Sequence, residues 1–188
     1  AALLSQQLKD SPESKVLIFT EYRDTVDLLA ERLNSIDDII ADRFIGQSGT
    51  GSRKGMNQKQ QLAQLQRFRE GDINVLIATS VGEEGLDVPA ADLVVLYEPV
   101  PSAIRTIQRR GRTARQRDGE VHILIAKDTR DVFVYMASKS REKKMHINLD
   151  KIKNGIQSIL EKLPTGEILS DFSVVEEDGS IVSATDYL

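Results

Sequence analysis

The sequence predicts an α/β domain built on a mostly parallel sheet, followed by a C-terminal helical extension and an acidic tail. Three observations carry this. Five short apolar runs lie between residues 15 and 126 of the 188-residue chain; runs so continuous read as strands buried on both faces. Segments with apolar residues at helical spacing stand between most of them, which is the alternation of a parallel sheet covered by helices on both sides. From residue 164 onward there is no Lys or Arg, while six carboxylates remain.

Taken in order, Ala1 to Gln7 reads as a helix already under way and lacks the basic start and apolar segment of a signal peptide. Residues 1–14 are therefore expected to end a preceding helical segment of something longer. The α/β domain is expected over residues 15–128. Its first strand is Lys15 to Thr20, followed by a helix from Asp24 to Leu33 with Val26, Leu29, Ala30 and Leu33 on one stripe. A second strand, Asp42 to Gly46, runs into the polar, glycine-rich stretch 47–55, expected as a surface loop ending at Asn57, an N-cap residue type. A helix over Asn57 to Arg69 carries Leu62, Leu65 and Phe68, and Ile73 to Ala78 is the third strand. Leu93 to Tyr97 and Val121 to Ala126 complete the set, with the arginine-rich segment 102–117 between them. Residues 129–163 form the helical extension, stopped by Pro164-Thr165-Gly166. In the tail, 164–188, Leu169 to Val175 and Ser180 to Ala184 either pair as a hairpin about Asp178-Gly179 or serve as a linker to another domain.

Composition narrows the function. No apolar run approaches the roughly 20 residues needed to span a bilayer as a helix. The chain has no Cys, so disulfides and thiolate metal sites are excluded, and a reducing intracellular compartment is expected. His122 falls inside a strand, where it is expected to be packed rather than catalytic, and neither it nor His146 has a partner at metal-ligand spacing, so no metal site is expected on this chain. The net charge of −4 argues against a nucleic-acid partner only until it is located. The tail holds six of the 29 acidic groups, which leaves residues 1–163 with 23 acidic against 25 basic side chains.

The densest chemistry is Arg105-Thr106-Ile107-Gln108-Arg109-Arg110-Gly111-Arg112-Thr113-Ala114-Arg115-Gln116-Arg117, six arginines in thirteen residues with no acidic neighbour. As a helix it places Arg105, Gln108, Arg112 and Arg115 on one face, and Ala103, Ile107 and Ala114 on the side expected to pack on the sheet. Planar guanidinium groups in such a row suit phosphate oxygens. The residues alone allow a solvated basic helix equally, and Gly111 is where the helix would end.

Gln108-Arg109-Arg110-Gly111-Arg112-Thr113-Ala114-Arg115 resembles motif VI of superfamily-two helicases, Q-x-x-G-R-x-x-R. Val16 to Arg23 resembles motif IV, Phe44-Ile45-Gly46-Gln47 the segment after it, and Val75 to Pro89 motif V. The matches come in order over residues 15–126, and Gly55 to Gln61 is most similar to the branch of archaeal Hef and FANCM-type DNA remodelling helicases, beside the RIG-I and Dicer branch. In that family two RecA-like domains clamp one ATP, and this chain resembles the second. No Gly-Lys or Asp-Glu dipeptide occurs, so the phosphate loop and the magnesium-binding box are missing from it.

The resemblance implies roles residue by residue. Arg112 and Arg115 would be arginine fingers and Gln108 would position the phosphate or attacking water. Gly85 and Asp87 would line the ribose side of the nucleotide, although a tight turn and a loop cap are their ordinary readings. Thr20, Tyr22, Arg23, Gly46, Gln47, Thr79 and Ser80 would follow a nucleic-acid backbone; for Thr79 and Ser80 a strand-end cap is as good a reading from the residues alone. The implied function is the second motor domain of an ATP-dependent DNA helicase or translocase acting on branched or forked DNA in repair, without ATPase activity on its own. ATP and Mg2+ would be held mainly by the N-terminal RecA-like domain of the same protein, with DNA as partner, no membrane, and a C-terminal nuclease domain as a further possibility. The location implied is cytoplasmic in a prokaryote or nuclear in a eukaryote. The alternatives are a double-stranded-RNA ATPase of the RIG-I or Dicer type and a non-catalytic RecA-like nucleic-acid-binding module.

Overall fold

The computed structural model describes residues 1–47, 55–79, 88–111, 119–160, 172–176 and 179–183. Two compact units make up the chain, Ala1–Glu142 and Lys143–Leu188. The first contains α1 (Ala2–Asp10), β1 (Val16–Phe19), α2 (Arg23–Leu33), β2 (Ala41–Phe44), α3 (Gln58–Glu70), β3 (Val75–Ala78), β4 (Leu93–Leu96), α4 (Ala103–Arg110) and β5 (Glu120–Ile123). It also holds the beginning of α5 (Arg130–Leu160), which continues into the second unit.

The five strands form one parallel sheet in the order β2-β3-β1-β4-β5, as the apolar runs led us to expect. Residues Val16, Val75 and Leu93 stand side by side across the three central strands, and Phe19, Ala78 and Leu96 end them together. Alternation along each strand then divides the core in two. Val16, Ile18, Val75, Ile77, Leu93 and Val95 meet Leu4 and Leu8 of α1 and Val26 and Leu33 of α2. On the opposite face Leu17, Phe19, Leu76, Ala78, Val94 and Leu96 meet Leu65 and Phe68 of α3. Each fully buried side chain of this size contributes about 1.5–3 kcal/mol, so both faces of the sheet are held.

Local chemistry sets the helix ends. Asn57 caps α3 with a reciprocal pair, its side chain accepting from the Gln60 N–H at 2.9 Å while Gln60 accepts from the Asn57 N–H at 2.9 Å. Gly71 ends α3 in the left-handed conformation at φ 89°. Ser102 caps α4, accepting from the Arg105 N–H at 3.3 Å.

α4 stops at Arg110 with Gly111 as its C-cap, where the sequence lets it end, and of the expected face it carries Arg105 and Gln108. Two expectations are corrected. The buried side of α4 differs: Thr106 and Arg109 are buried, whereas Ile104 and Ile107 are exposed. The Thr106 hydroxyl donates to the Ser102 carbonyl at 3.0 Å, and the Arg109 guanidinium stands over the Phe19 ring within the attraction of the Glu98 carboxylate. His122, expected to be packed inside a strand, is half-exposed and bonded to Glu120 at 2.9 Å, because β5 is the sheet's edge.

In the second unit β6 (Ser173–Val175) and β7 (Ile181–Ser183) pair antiparallel, with Val174 opposite Val182. The tail therefore contains the hairpin, turned at Gly179 with φ 83°. None of the described helices is long and apolar enough to cross a membrane.

Candidate nucleotide and nucleic-acid interface

Parallel strands point their carboxyl ends at one edge of the sheet, and loops at that edge carry ligands in open α/β folds. The first residues after β1, β2 and β3 meet there because these three strands are neighbours. Backbone hydrogen bonds lock their first residues: the Thr20 N–H donates to the Ala78 carbonyl at 3.0 Å and the Thr79 N–H to the Phe44 carbonyl at 3.2 Å.

Arg23, the first residue of α2, reaches across this edge and donates from Nη2 to the Gly46 carbonyl at 3.2 Å. Its Nη1 is buried and meets no hydrogen-bond acceptor among the described residues. A guanidinium held this way has donor capacity to spare for an anion. Tyr22 beside it is 60% exposed, and Gln47, next to Gly46, is exposed. Met56 closes the polar loop by donating its N–H to the Gly46 carbonyl at 3.1 Å. Gly55 is glycine for a steric reason: a Cβ there would stand 2.2 Å from the Gln47 carbonyl oxygen and 2.4 Å from that of Gly46.

Of the residues expected to face a nucleic-acid strand, the structure thus brings Tyr22, Arg23, Gly46 and Gln47 together. Thr79 stands at the same edge but is buried. Thr20 has no exposed surface; its hydroxyl accepts the Tyr22 N–H at 3.4 Å and donates to the carboxylate of Glu98, the second residue after β4. Gln108, expected on the nucleotide side, is half-buried on α4. Ser80, Gly85, Asp87, Arg112 and Arg115 lie outside the described residues.

Glu98 and Arg109 are the residues that the sequence did not single out. The Glu98 carboxylate accepts the Glu21 N–H as well as the Thr20 hydroxyl. Burial pushes its pKa above the ordinary value; those two hydrogen bonds and the Arg109 charge pull the other way, and the Glu21 carboxylate adds to the rise. Arg109 is fully buried, its guanidinium carbon 5.3 Å from the centre of the Phe19 ring. One signal was present for Glu98: a carboxylate directly behind a buried strand, at the edge where loops carry chemistry. None was present for Arg109, which looks like its five neighbours in the sequence.

α4 is braced from the other side by α5. Thr106 and Ser138 hydroxyls meet at 3.4 Å in a buried pair, and Arg110 pairs with Glu142 at 3.2 Å. Among the described residues no group of three or more His, Asp or Glu side chains converges as a metal site.

The family model for the helicase conserved C-terminal domain matches residues 1–117. The ATP-dependent DNA helicase mph1 of Sclerotinia sclerotiorum is 44% identical over 126 residues, 66% of this chain and 10% of that protein. The DEAD-box ATP-dependent RNA helicase FANCM of Arabidopsis thaliana is 44% identical over 119 residues, 63% of this chain and 9% of that protein. In the crystal structure of the Pyrococcus furiosus Hef helicase domain, a chain 50% identical to this one matches with a TM-score of 0.59, covering 73% of this chain and 27% of that one. The chain spans a small fraction of these relatives. With the motifs in order, a five-stranded parallel sheet, and the family model covering more than half its residues, the chain belongs to the helicase C-terminal family as a second RecA-like domain of the Hef and FANCM type.

Proposed function

We propose that this domain is the second motor domain of an ATP-dependent DNA helicase or translocase that acts on branched or forked DNA in repair. The observation that carries the reading is the edge shared by β1, β2 and β3, where a partly satisfied Arg23 guanidinium lies among exposed Tyr22 and Gln47. Such a group suits a phosphate backbone read without regard to sequence. Thr79 and Ser80 would add strand-end hydroxyls for the same backbone, the Thr79 N–H itself being taken by the Phe44 carbonyl.

The nucleotide side is α4 and the residues that follow. Ser102 to Arg117 contain no acidic side chain that would repel a polyphosphate, and Gln108 keeps part of its surface accessible, which suits an ATP edge. Gln108, Arg112 and Arg115 would hold the phosphate end, and Gly85 and Asp87 the ribose side. ATP with Mg2+, bound mainly by the N-terminal RecA-like domain of the same protein, supplies the phosphoryl group. The Arg112 and Arg115 guanidinium groups stabilise charge on its γ-phosphate oxygens, an effect on the order of 10³ to 10⁵ in rate in related phosphoryl transfer. The domain alone lacks the phosphate loop and does not turn over ATP. The protein works inside the cell, in the cytoplasm of a prokaryote or the nucleus of a eukaryote, and a nuclease domain C-terminal to the motor is part of the reading.

The test is ATP turnover by the intact protein and by residues 1–188, each with forked DNA, duplex RNA and no nucleic acid. The intact protein is expected to be stimulated by DNA and the isolated domain to stay at background; Arg115→Ala in the intact protein lowers turnover far more than DNA affinity. Stimulation by duplex RNA alone favours the RNA-dependent ATPase reading, which the RNA helicase name of the Arabidopsis relative keeps in play. Turnover by the isolated domain, or none by the intact protein, overturns the motor reading.

A further inference from the structure

We infer that Glu98 is a positioning residue that holds the nucleic-acid loop after β1 in register with α4, the helix of the nucleotide side. The inference rests on the motor reading above. Glu98 touches neither ligand in that reading; it acts through Thr20 and Glu21 on one side and Arg109 on the other.

One carboxylate takes hydrogen bonds from the loop after β1 and is attracted by a buried cation of α4 that is itself stacked on the end of β1. On the loop side, the Glu21 N–H and the Thr20 hydroxyl both donate to Glu98, and Tyr22 and Arg23 follow immediately in the chain. Thr20 is further pinned by its N–H to the Ala78 carbonyl. On the helix side, the buried Arg109 charge attracts the same carboxylate, and its guanidinium stands over Phe19, the last residue of β1. Arg109 is adjacent to Gln108 on α4. The covalent link is stiff as well: Pro99-Val100-Pro101-Ser102 joins Glu98 to the start of α4, and each proline fixes its φ. A displacement of the loop by a bound phosphate backbone therefore reaches α4 through Glu98 with little chain slack to absorb it.

The two attachments differ in chemistry, which makes them separable. The loop is bound to Glu98 by directional hydrogen bonds, whereas α4 is linked to it through the charge of Arg109. Glu98→Gln keeps an oxygen acceptor for Glu21 and Thr20 and removes the charge that faces Arg109. Glu98→Ala removes both, and Thr20→Val removes only the hydroxyl bond. A half-buried carboxylate that burial disfavours is also a poor choice if packing were its only task.

The experiment uses the intact protein, measuring ATP turnover with and without a forked DNA duplex, together with DNA affinity. In Glu98→Gln the DNA-stimulated rate is expected to fall about ten-fold more than the DNA-free rate, the size of an ordinary coupling between two sites, while DNA affinity stays close to wild type. Thr20→Val is expected to lose part of the stimulation in the wild-type background and nothing further in Glu98→Ala, since both act on one connection. The inference is overturned if stimulated and DNA-free rates fall by the same factor, if stimulation is unchanged, or if the Thr20 and Glu98 effects simply add. Should Glu98→Ala fail to fold, Glu98→Gln and Thr20→Val still decide the question. A wild-type protein with no nucleic-acid stimulation points instead to failure of the motor reading itself.

Discussion

The guanidinium of Arg109 stands 5.3 Å from the centre of the Phe19 ring, and Arg109 has no exposed surface. A cation on the motif VI helix is thus stacked against the end of the central strand, in a run of arginines where a sequence reader would turn all of them outward. The Glu98 carboxylate attracts this charge and offsets part of the cost of burying it.

Replacing Arg109 removes the charge that faces Glu98 and the stack on Phe19 together. Arg109→Met is expected to destabilise the domain by about 2–4 kcal/mol, below the full value for a buried pair because Glu98 is only half-buried. Phe19→Leu keeps most of the apolar volume and loses the ring face, at a loss of about 1 kcal/mol. Urea denaturation of the domain measures both. Wild-type stability for Arg109→Met would show that Arg109 is packed there without contributing to the fold.

Two glycines give opposite expectations. A Cβ at Gly55 would stand 2.2 Å from the Gln47 carbonyl oxygen, a backbone atom that cannot rotate away, so Gly55→Ala is expected to displace Gly46 and Gln47. The loss is about 1–3 kcal/mol of stability, with weaker nucleic-acid binding beside it. At Gly155, inside α5, nothing stands within 4 Å of a Cβ. Gly155→Ala is expected to stabilise by about 0.5–1 kcal/mol, since alanine loses less backbone freedom in a helix. Thermal melts of the two variants should move in opposite directions.

Glu98 titrates against the fold. Its pKa is raised chiefly by burial, so the folded state holds the proton more tightly than the unfolded chain. Stability from this group is therefore present below the ordinary carboxylate pKa and is lost as pH rises through that value to the raised one. The charged and titratable groups around it are Glu21 from the loop after β1, Arg109 from α4, and Tyr22, Tyr97, Arg130 and Asp131, which line the same cleft of about 310 Å³. Glu98→Gln removes the titration but leaves these groups. Relative to wild type, the melting temperature of Glu98→Gln is expected to rise as the pH climbs above the ordinary carboxylate range. A difference that does not change with pH would mean that Glu98 has the same pKa in the folded and unfolded chain.

Much of the molecule was legible in the residues. Apolar runs such as Leu93 to Leu96 are too continuous for a half-exposed strand, and all five became neighbours in one parallel sheet. Asn57 and Gln60 announced the start of α3 by capping chemistry that depends on only four residues, and Gly111 marked the end of α4. The edge that gathers Tyr22, Arg23, Gly46 and Gln47 followed from motif order once the strands were parallel. These are local properties: periodicity, caps and turn residues act within a few positions, so the sequence states them directly.

The tertiary structure decided which way the side chains of α4 turn and what Thr20 does. Helical spacing shows that Ile104, Ile107 and Gly111 share a side, but not that Thr106 and Arg109 would be the buried ones. The partners that settle it are distant in the chain: Glu98 bonds Glu21 across 77 positions, and Arg109 lies over Phe19. A buried charge is placed by the groups that compensate it, and those groups come together only when strands far apart in sequence lie side by side.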